Sequence, residues 1–350
     1  MTNLYCTADT IGTETGGGIV TYNELLALKE ISDEVRVMER KDIEPSRFRQ
    51  PDSPFLYDYF ALQQIKNKHF DVAHFYSWTF TQTVAWLKSH RTKVTYTIAA
   101  HDRRTTVEEF ERLGLIYPFH HIKDDDLWQI YSTGYRLADV VIAPSKRSAE
   151  FLKSEGCKKV VVIPHGVNLP KQVEPIPERF DVCYLGAVGP DKGVLYLIQA
   201  WAMLNYPDSN LILAGGETET LEPFIRQTAN QGQFKILGRV ADISDVYNAC
   251  SVAVFPSVTE GFGIGILEAM AHGRPVITSE GAGASDLVED GVTGFVVPIR
   301  SPEAIAEKID WFKKNRDKIP EMGQKARRKA RNYTWGKIRG RYANVWRQRD

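Results

Sequence analysis

The feature that most constrains this chain is a cadence repeated along its length. A short apolar run rich in β-branched residues gives way to a turn bearing glycine or proline, and then to apolar residues at helical spacing. Leu4 to Ala8 leads through Gly16-Gly17-Gly18 into Ile19, Tyr22, Leu25, Leu26 and Ile31. Phe180 to Gly186 leads through Ala187 to Gly193 into Val194 to Met203. Further runs of the strand type are Val35–Met38, Phe70–Phe75, Lys93–Ala100, Ala138–Ser145, Val160–Val167, Asn210–Gly216, Phe234–Arg239, Val252–Phe255, Pro275–Ser279 and Gly294–Pro298. Strands that alternate with helices in this way predict an α/β fold with parallel sheets. A length of 350 residues suits two domains, each able to bury its own core. The prolines at 170, 175 and 177 mark a linker, giving domains 1–170 and 171–332. In the tail 333–350, Trp335, Ile338, Tyr342 and Val345 or Trp346 form an apolar stripe, expected to pack back onto the first domain.

Hydrophobic residues make up 43% of the chain and charged residues 25%, as in a soluble globular enzyme. Formal net charge is zero, so the whole molecule advertises no nucleic acid partner. Neither a secretory leader nor an apolar run of about 18 residues is evident, and the expected location is the cytoplasm. Two basic stretches, Lys88 to Lys93 and the tail, could rest peripherally on the inner face of a membrane, although a solvated face is the commoner outcome. Cys6, Cys157, Cys183 and Cys250 lack metal-site spacing and are read as reduced thiols.

One stretch concentrates the chemistry: FPSVTEGFGIGILEAMAHGRP, Phe255 to Pro275. It opens where a buried strand gives way to a loop and closes on a helix that stops near His272-Gly273. Between them, Glu260-Gly261-Phe262-Gly263 sets a carboxylate and glycine amides beside the positive end of a helix beginning at Ile264. Glu268 follows about two helical turns later, so both acids can face one pocket. Lys192, at the glycine-bearing turn after Gly186, is placed to neutralise a diphosphate. Gly17 and Gly18 open a helix whose amides could receive a phosphate. His101 stands just past a strand, at the rim of its sheet.

The spacing Glu260-x7-Glu268 with GFG between, together with EAMAHGRPVI, resembles the retaining glycosyltransferases of family 4. So do the segments ADVVIAPSKRSAEFLKSEG and VVVIPHGVN. That resemblance implies the GT-B fold, two Rossmann-like domains with parallel sheets facing across a cleft. It implies a nucleotide-sugar donor, UDP- or GDP-linked by default, held by the second domain. His101 would approach the transferred sugar and Gly17 the donor phosphates. The backbone around Arg239 and Val240 would meet the base, Glu260 the donor sugar and Glu268 the ribose. The chain departs from the family at His165, at Asn168 and, most tellingly, at Ala187, where an arginine usually joins Lys192 on the diphosphate. Either another cation, such as Arg239 or Arg103, supplies the missing charge, or the diphosphate is held less tightly.

No Asp-x-Asp pair is evident in the second half, and neither metal nor cofactor is implied. The resemblance implies retention of anomeric configuration by same-face attack, with a glycan, a lipid-linked sugar or a small molecule as acceptor. Two other classes stay open: an epimerase- or phosphorylase-like enzyme on the same scaffold, and a nucleotide-sugar-binding protein that has lost turnover.

Overall fold

The computed structural model describes residues 1–7, 11–12, 16–39, 42, 54–76, 80–100, 102–116, 125–216, 226–227 and 233–348. The first half runs β1 (Thr2–Thr7), α1 (Gly16–Lys29), β2 (Glu34–Met38), α2 (Pro54–Ile65), β3 (Val72–Tyr76), α3 (Thr81–Ser89), β4 (Lys93–Thr97), α4 (Arg103–Arg112), α5 (Asp125–Leu137), β5 (Val140–Ala143), α6 (Lys146–Ser154) and β6 (Val160–Val162). The second runs β7 (Val182–Leu185), α7 (Val194–Leu204), β8 (Leu211–Ala214), β9 (Phe234–Gly238), α8 (Ile243–Ala249), β10 (Val252–Phe255), α9 (Ile264–Ala271), β11 (Val276–Ser279), β12 (Gly294–Val297), α10 (Pro302–Lys314), α11 (Ile319–Ala330) and α12 (Trp335–Arg347).

Among the described residues there are two six-stranded sheets, ordered β2-β1-β3-β4-β5-β6 and β12-β11-β10-β7-β8-β9. Every pairing is parallel. Parallel strands need helical crossovers that cover both faces, which is why VVIA, LILA, VAVF and VITS are buried along their whole length. In the second sheet the chain leaves β7 towards β8 and β9, then returns to β7's other side with β10. The strand order therefore reverses between β7 and β10, and open α/β sheets bind ligands beyond the carboxyl ends of strands at such a reversal.

The chain separates into two compact units. One holds residues 1–100, 118–165 and 335–350; the other holds 101–117 and 166–334. In the first unit the tail's apolar stripe is buried, with Trp335, Ile338, Tyr342, Val345 and Trp346 each at most 9% exposed. The Trp346 indole donates to Thr95 Oγ1 at 3.0 Å, and its ring meets His74 edge-on at 4.9 Å. His74 itself is a core residue, bonded to Thr95 Oγ1 at 2.8 Å and lying 3.3 Å from the buried Glu24. A buried ring of this size stabilises by about 1.5–3 kcal/mol, so the stripe fixes α12 firmly to its sheet. Two of the basic residues near α3 are engaged internally: Lys88 pairs with Asp139, and Lys93 donates to the Val345 carbonyl at 2.8 Å.

In the second unit, α4 packs against the turn Pro190–Lys192 and is fixed there by Glu109. That carboxylate is fully buried, accepts from the Tyr196 hydroxyl and pairs with Arg300 Nε at 2.7 Å. All four cysteines are buried free thiols. α5 begins at Asp125. The sequence predicts a helix over Thr220 to Asn230, a stretch almost wholly outside the described residues. Among the described residues no helix is long and apolar enough to cross a membrane.

Candidate functional site

The turn after β7 is shaped by its glycines. Gly193 adopts φ +68°, and a Cβ there would stand 2.0 Å from the Pro256 carbonyl oxygen, so only glycine lets the turn approach the end of β10. The Asp191 carbonyl accepts from Val258 N–H at 2.8 Å, stitching the two strand ends together. Tyr184 folds beneath the turn and donates its hydroxyl to the Ala187 carbonyl at 2.5 Å.

This stitching brings together residues far apart in sequence. Lys192 Nζ pairs with Glu260, and with Asp191 at 3.1 Å. The side chains of Lys192 and Glu260 remain 21% and 23% exposed, so a ligand can reach both. Desolvation disfavours the ammonium, but the carboxylates of Glu260 and Asp191 more than overcome it and raise the lysine above its ordinary pKa. Lys192 is therefore a fixed cation.

Gly261, Phe262 and Gly263 carry the chain from Glu260 into α9. The loop is held from the side by the segment after β11: Glu260 N–H donates to Gly281 O at 3.1 Å, Gly283 N–H to Glu260 O at 3.0 Å and Ala284 N–H to Phe262 O at 2.6 Å. Sequence reasoning missed this support. Its signal was the small-residue run Gly281 to Ser285, since a Cβ at Gly281 would stand 2.3 Å from Ser257 O. Asp191 was missed as well. Both α7 and α9 start from left-handed glycines, Gly193 and Gly263, with no side-chain cap. The positive ends of both helices thus carry no side-chain cap, which suits an anion.

Glu268 lies in the second turn of α9, half-buried, with Oε2 3.4 Å from the Tyr247 hydroxyl. Its burial pushes the carboxyl up to about 7, against an ordinary 4.5, with the tyrosine hydroxyl opposing that shift. A carboxyl raised on folding holds its proton in the native state while the unfolded chain releases it. The native stability it supports is complete below about pH 4.5 and is lost as pH rises to about 7. Glu268→Gln, which cannot ionise, should match wild type near pH 4.5 and gain on it up to about pH 7. Urea unfolding across that range checks this, and a constant difference would contradict it.

At the far side of β7, Gly186 N–H donates to Ala214 O at 3.0 Å and Val188 N–H to Gly216 O at 3.0 Å. Arg239 and Val240 follow β9; Arg239 is exposed, and its Nε lies 3.2 Å from where a Cβ on Gly216 would stand. Lys192, Glu260, Gly261, Phe262, Gly263, Ile264, Glu268, Gly186, Arg239 and Val240 thus belong to one unit, at and beyond the carboxyl ends of β7, β9 and β10 and along α9. Gly17 and Gly18 lie in the other unit, in the first turn of α1, where Gly18 is buried and its carbonyl accepts from Thr21 Oγ1 at 2.9 Å. His101 lies outside the described residues.

The family profile described as Glycosyl transferases group 1 matches residues 168–331, and that described as Glycosyltransferase Family 4 matches 19–171. An uncharacterised glycosyltransferase of Methanocaldococcus jannaschii is 28% identical over 202 residues, 57% of each chain. The capsular polysaccharide biosynthesis glycosyltransferase CapM of Staphylococcus aureus is 33% identical over 163 residues, 44% of this chain and 42% of that one. The chain spans about half the length of these curated relatives. Among solved structures, sucrose-phosphate synthase of Thermosynechococcus elongatus superposes with a TM-score of 0.81 at 21% identity, covering 99% of both chains. Anabaena HepE in complex with UDP-glucose superposes at 0.75 and 20% identity, again over 99% of both. These likenesses establish the fold as GT-B.

Proposed function

The chain belongs to the group 1, family 4 glycosyltransferases, and from that membership we propose that it moves a sugar from a nucleoside diphosphate sugar to an acceptor hydroxyl with retention of configuration. The observation that carries this reading is the Lys192–Glu260 pair at the point where the strand order of the second sheet reverses. A fixed cation, two uncapped helix N-termini and a carboxylate are the groups that departure of a diphosphate from an anomeric carbon requires. Lys192 and the amides of Gly261 to Ile264 take the charge of the leaving diphosphate. Glu260 orients the donor sugar's hydroxyls and offsets positive charge growing at the anomeric carbon. Glu268 accepts from the ribose hydroxyls, and the backbone at Arg239 and Val240 meets the base.

In the step itself the acceptor oxygen bonds to the anomeric carbon on the face the phosphate leaves. The bond from that carbon to the phosphate oxygen breaks with its electron pair, and the departing phosphate takes the acceptor's proton. No covalent intermediate on Glu260 and no metal ion are part of this scheme, so transfer should survive a chelator. UDP- and GDP-linked sugars are the first donors to try; HepE was solved with UDP-glucose. Thermal unfolding with UDP, GDP and ADP, then with their sugars, is the test, because a ligand selective for the native state raises its melting temperature. At 100 times its dissociation constant the cognate diphosphate stabilises by about 2.7 kcal/mol. If none of the three shifts the transition at millimolar concentration, the reading fails.

A further inference from the structure

Charge around the β7 turn does not balance for the ligand proposed above. Lys192 is already in contact with two carboxylates, Asp191 and Glu260, so these three side chains together carry one net negative charge. The uncapped N-termini of α7 and α9 contribute about half a positive charge each. That brings the local sum only to about zero, whereas a diphosphate adds at least two more negative charges. Ala187, exposed on the turn, offers only a methyl group. A further cation is needed within reach of the turn.

We infer that the Arg239 guanidinium supplies it, binding the diphosphate from the side of β7 opposite Lys192; this rests on the donor reading given above. Arg239 leaves β9, two strands from β7, but its side chain turns back across β8. Nε and the guanidinium carbon lie 3.2 and 3.7 Å from where a Cβ on Gly216 would stand, so the bare backbone of that glycine is their seat. The seat is joined to the turn, since Gly216 O accepts from Val188 N–H, one residue past Ala187. Gly215, at φ +136°, admits no side chain because a Cβ would fall 1.5 Å from Gly186 O. The Gly215 amide in turn donates to Gly238 O at 2.7 Å, which places Arg239 at the same level as the two glycines. Neighbouring strands lie about 4.8 Å apart, so a guanidinium resting over the end of β8 stands roughly one strand spacing from β7. Lys192 reaches the other way, towards β10. The two cations therefore bracket the carboxyl end of β7, as a diphosphate requires, and the planar fork of arginine suits two phosphate oxygens.

The other arginine near the turn, Arg103, has a buried side chain in the first turn of α4. Arg239 is exposed, and among the described residues no carboxylate forms an ion pair with it.

Calorimetry on the full chain should compare the nucleoside diphosphate that wild type binds with the corresponding nucleoside. Arg239→Ala is expected to weaken the diphosphate about 10- to 100-fold, the worth of a charge-assisted hydrogen bond to phosphate, while the nucleoside binds as before. Unchanged nucleoside binding also shows that the variant is folded. In the Arg239→Ala background, Ala187→Arg should restore most of the loss by returning a guanidinium to the turn. An unchanged ratio of diphosphate to nucleoside affinity overturns the inference alone, as does an equal loss of both, which would make Arg239 a contact to the base. Wild type that binds no nucleoside diphosphate overturns the donor reading and this inference together.

Discussion

Glu260→Ala is expected to lower turnover about 100- to 1,000-fold while nucleoside diphosphate affinity holds or improves. The asymmetry follows from what the carboxylate touches. In the structure Glu260 is the partner of Lys192, so it competes with an incoming diphosphate for that ammonium. Removing it leaves the cation with Asp191 alone and more of its charge for the ligand. In the proposed reaction, however, the same carboxylate meets positive charge that exists only as the anomeric bond breaks, and an interaction confined to the transition state is lost from kcat. The loop should keep its place in the variant, because its bonds to Gly281 and Gly283 are made by the Glu260 backbone. Steady-state kinetics together with calorimetry on the free nucleotide separates the two effects. A parallel collapse of affinity and turnover would contradict the assignment, and a glycosyl group trapped on Glu260 would replace same-face attack with a covalent route.

How much of this site the sequence reveals depends on the distance over which each contact is made. Local features were legible: the strand ending in Phe255, the helix beginning at Ile264 and the glycine turn ahead of Val194 all lie where residue pattern places them. Pattern also buried the stripe from Trp335 to Trp346, since helical spacing of large apolar residues has few other uses. The contact of Lys192 with Glu260 spans 68 residues, and it exists because β7 and β10 became neighbours when the strand order reversed. Nothing local to either residue encodes that pairing. Arg239 is a similar case, for its side chain lies over Gly216 only because both of their strands end at one level. Membership of α4 in the second unit was also hidden, since a buried Glu109 bonded to Tyr196 and Arg300 looks in sequence like any glutamate on a charged helix. Buried polar partners are chosen by tertiary geometry, which periodicity does not carry.

Lys192→Ala should be the more severe lesion, lowering nucleoside diphosphate affinity and kcat/KM each about 100-fold or more. Breaking a buried ion pair by removing one partner costs about 3–5 kcal/mol. Here that figure is an upper bound, because both side chains keep about a fifth of their surface in contact with solvent. The variant would leave Glu260 and Asp191 without their shared cation, at the turn where the proposed donor would bring further negative charge. Folding stability should therefore fall along with affinity, and a loss of activity alone would not tell the two apart. Lys192→Ala combined with Glu260→Ala does tell them apart. Deleting the second charge relieves the repulsion, so urea unfolding should recover towards wild type, while diphosphate affinity should stay low because the cation that the ligand needs is still missing. If affinity returned with stability, Lys192 would be a structural partner of Glu260 and the diphosphate would have to be held elsewhere.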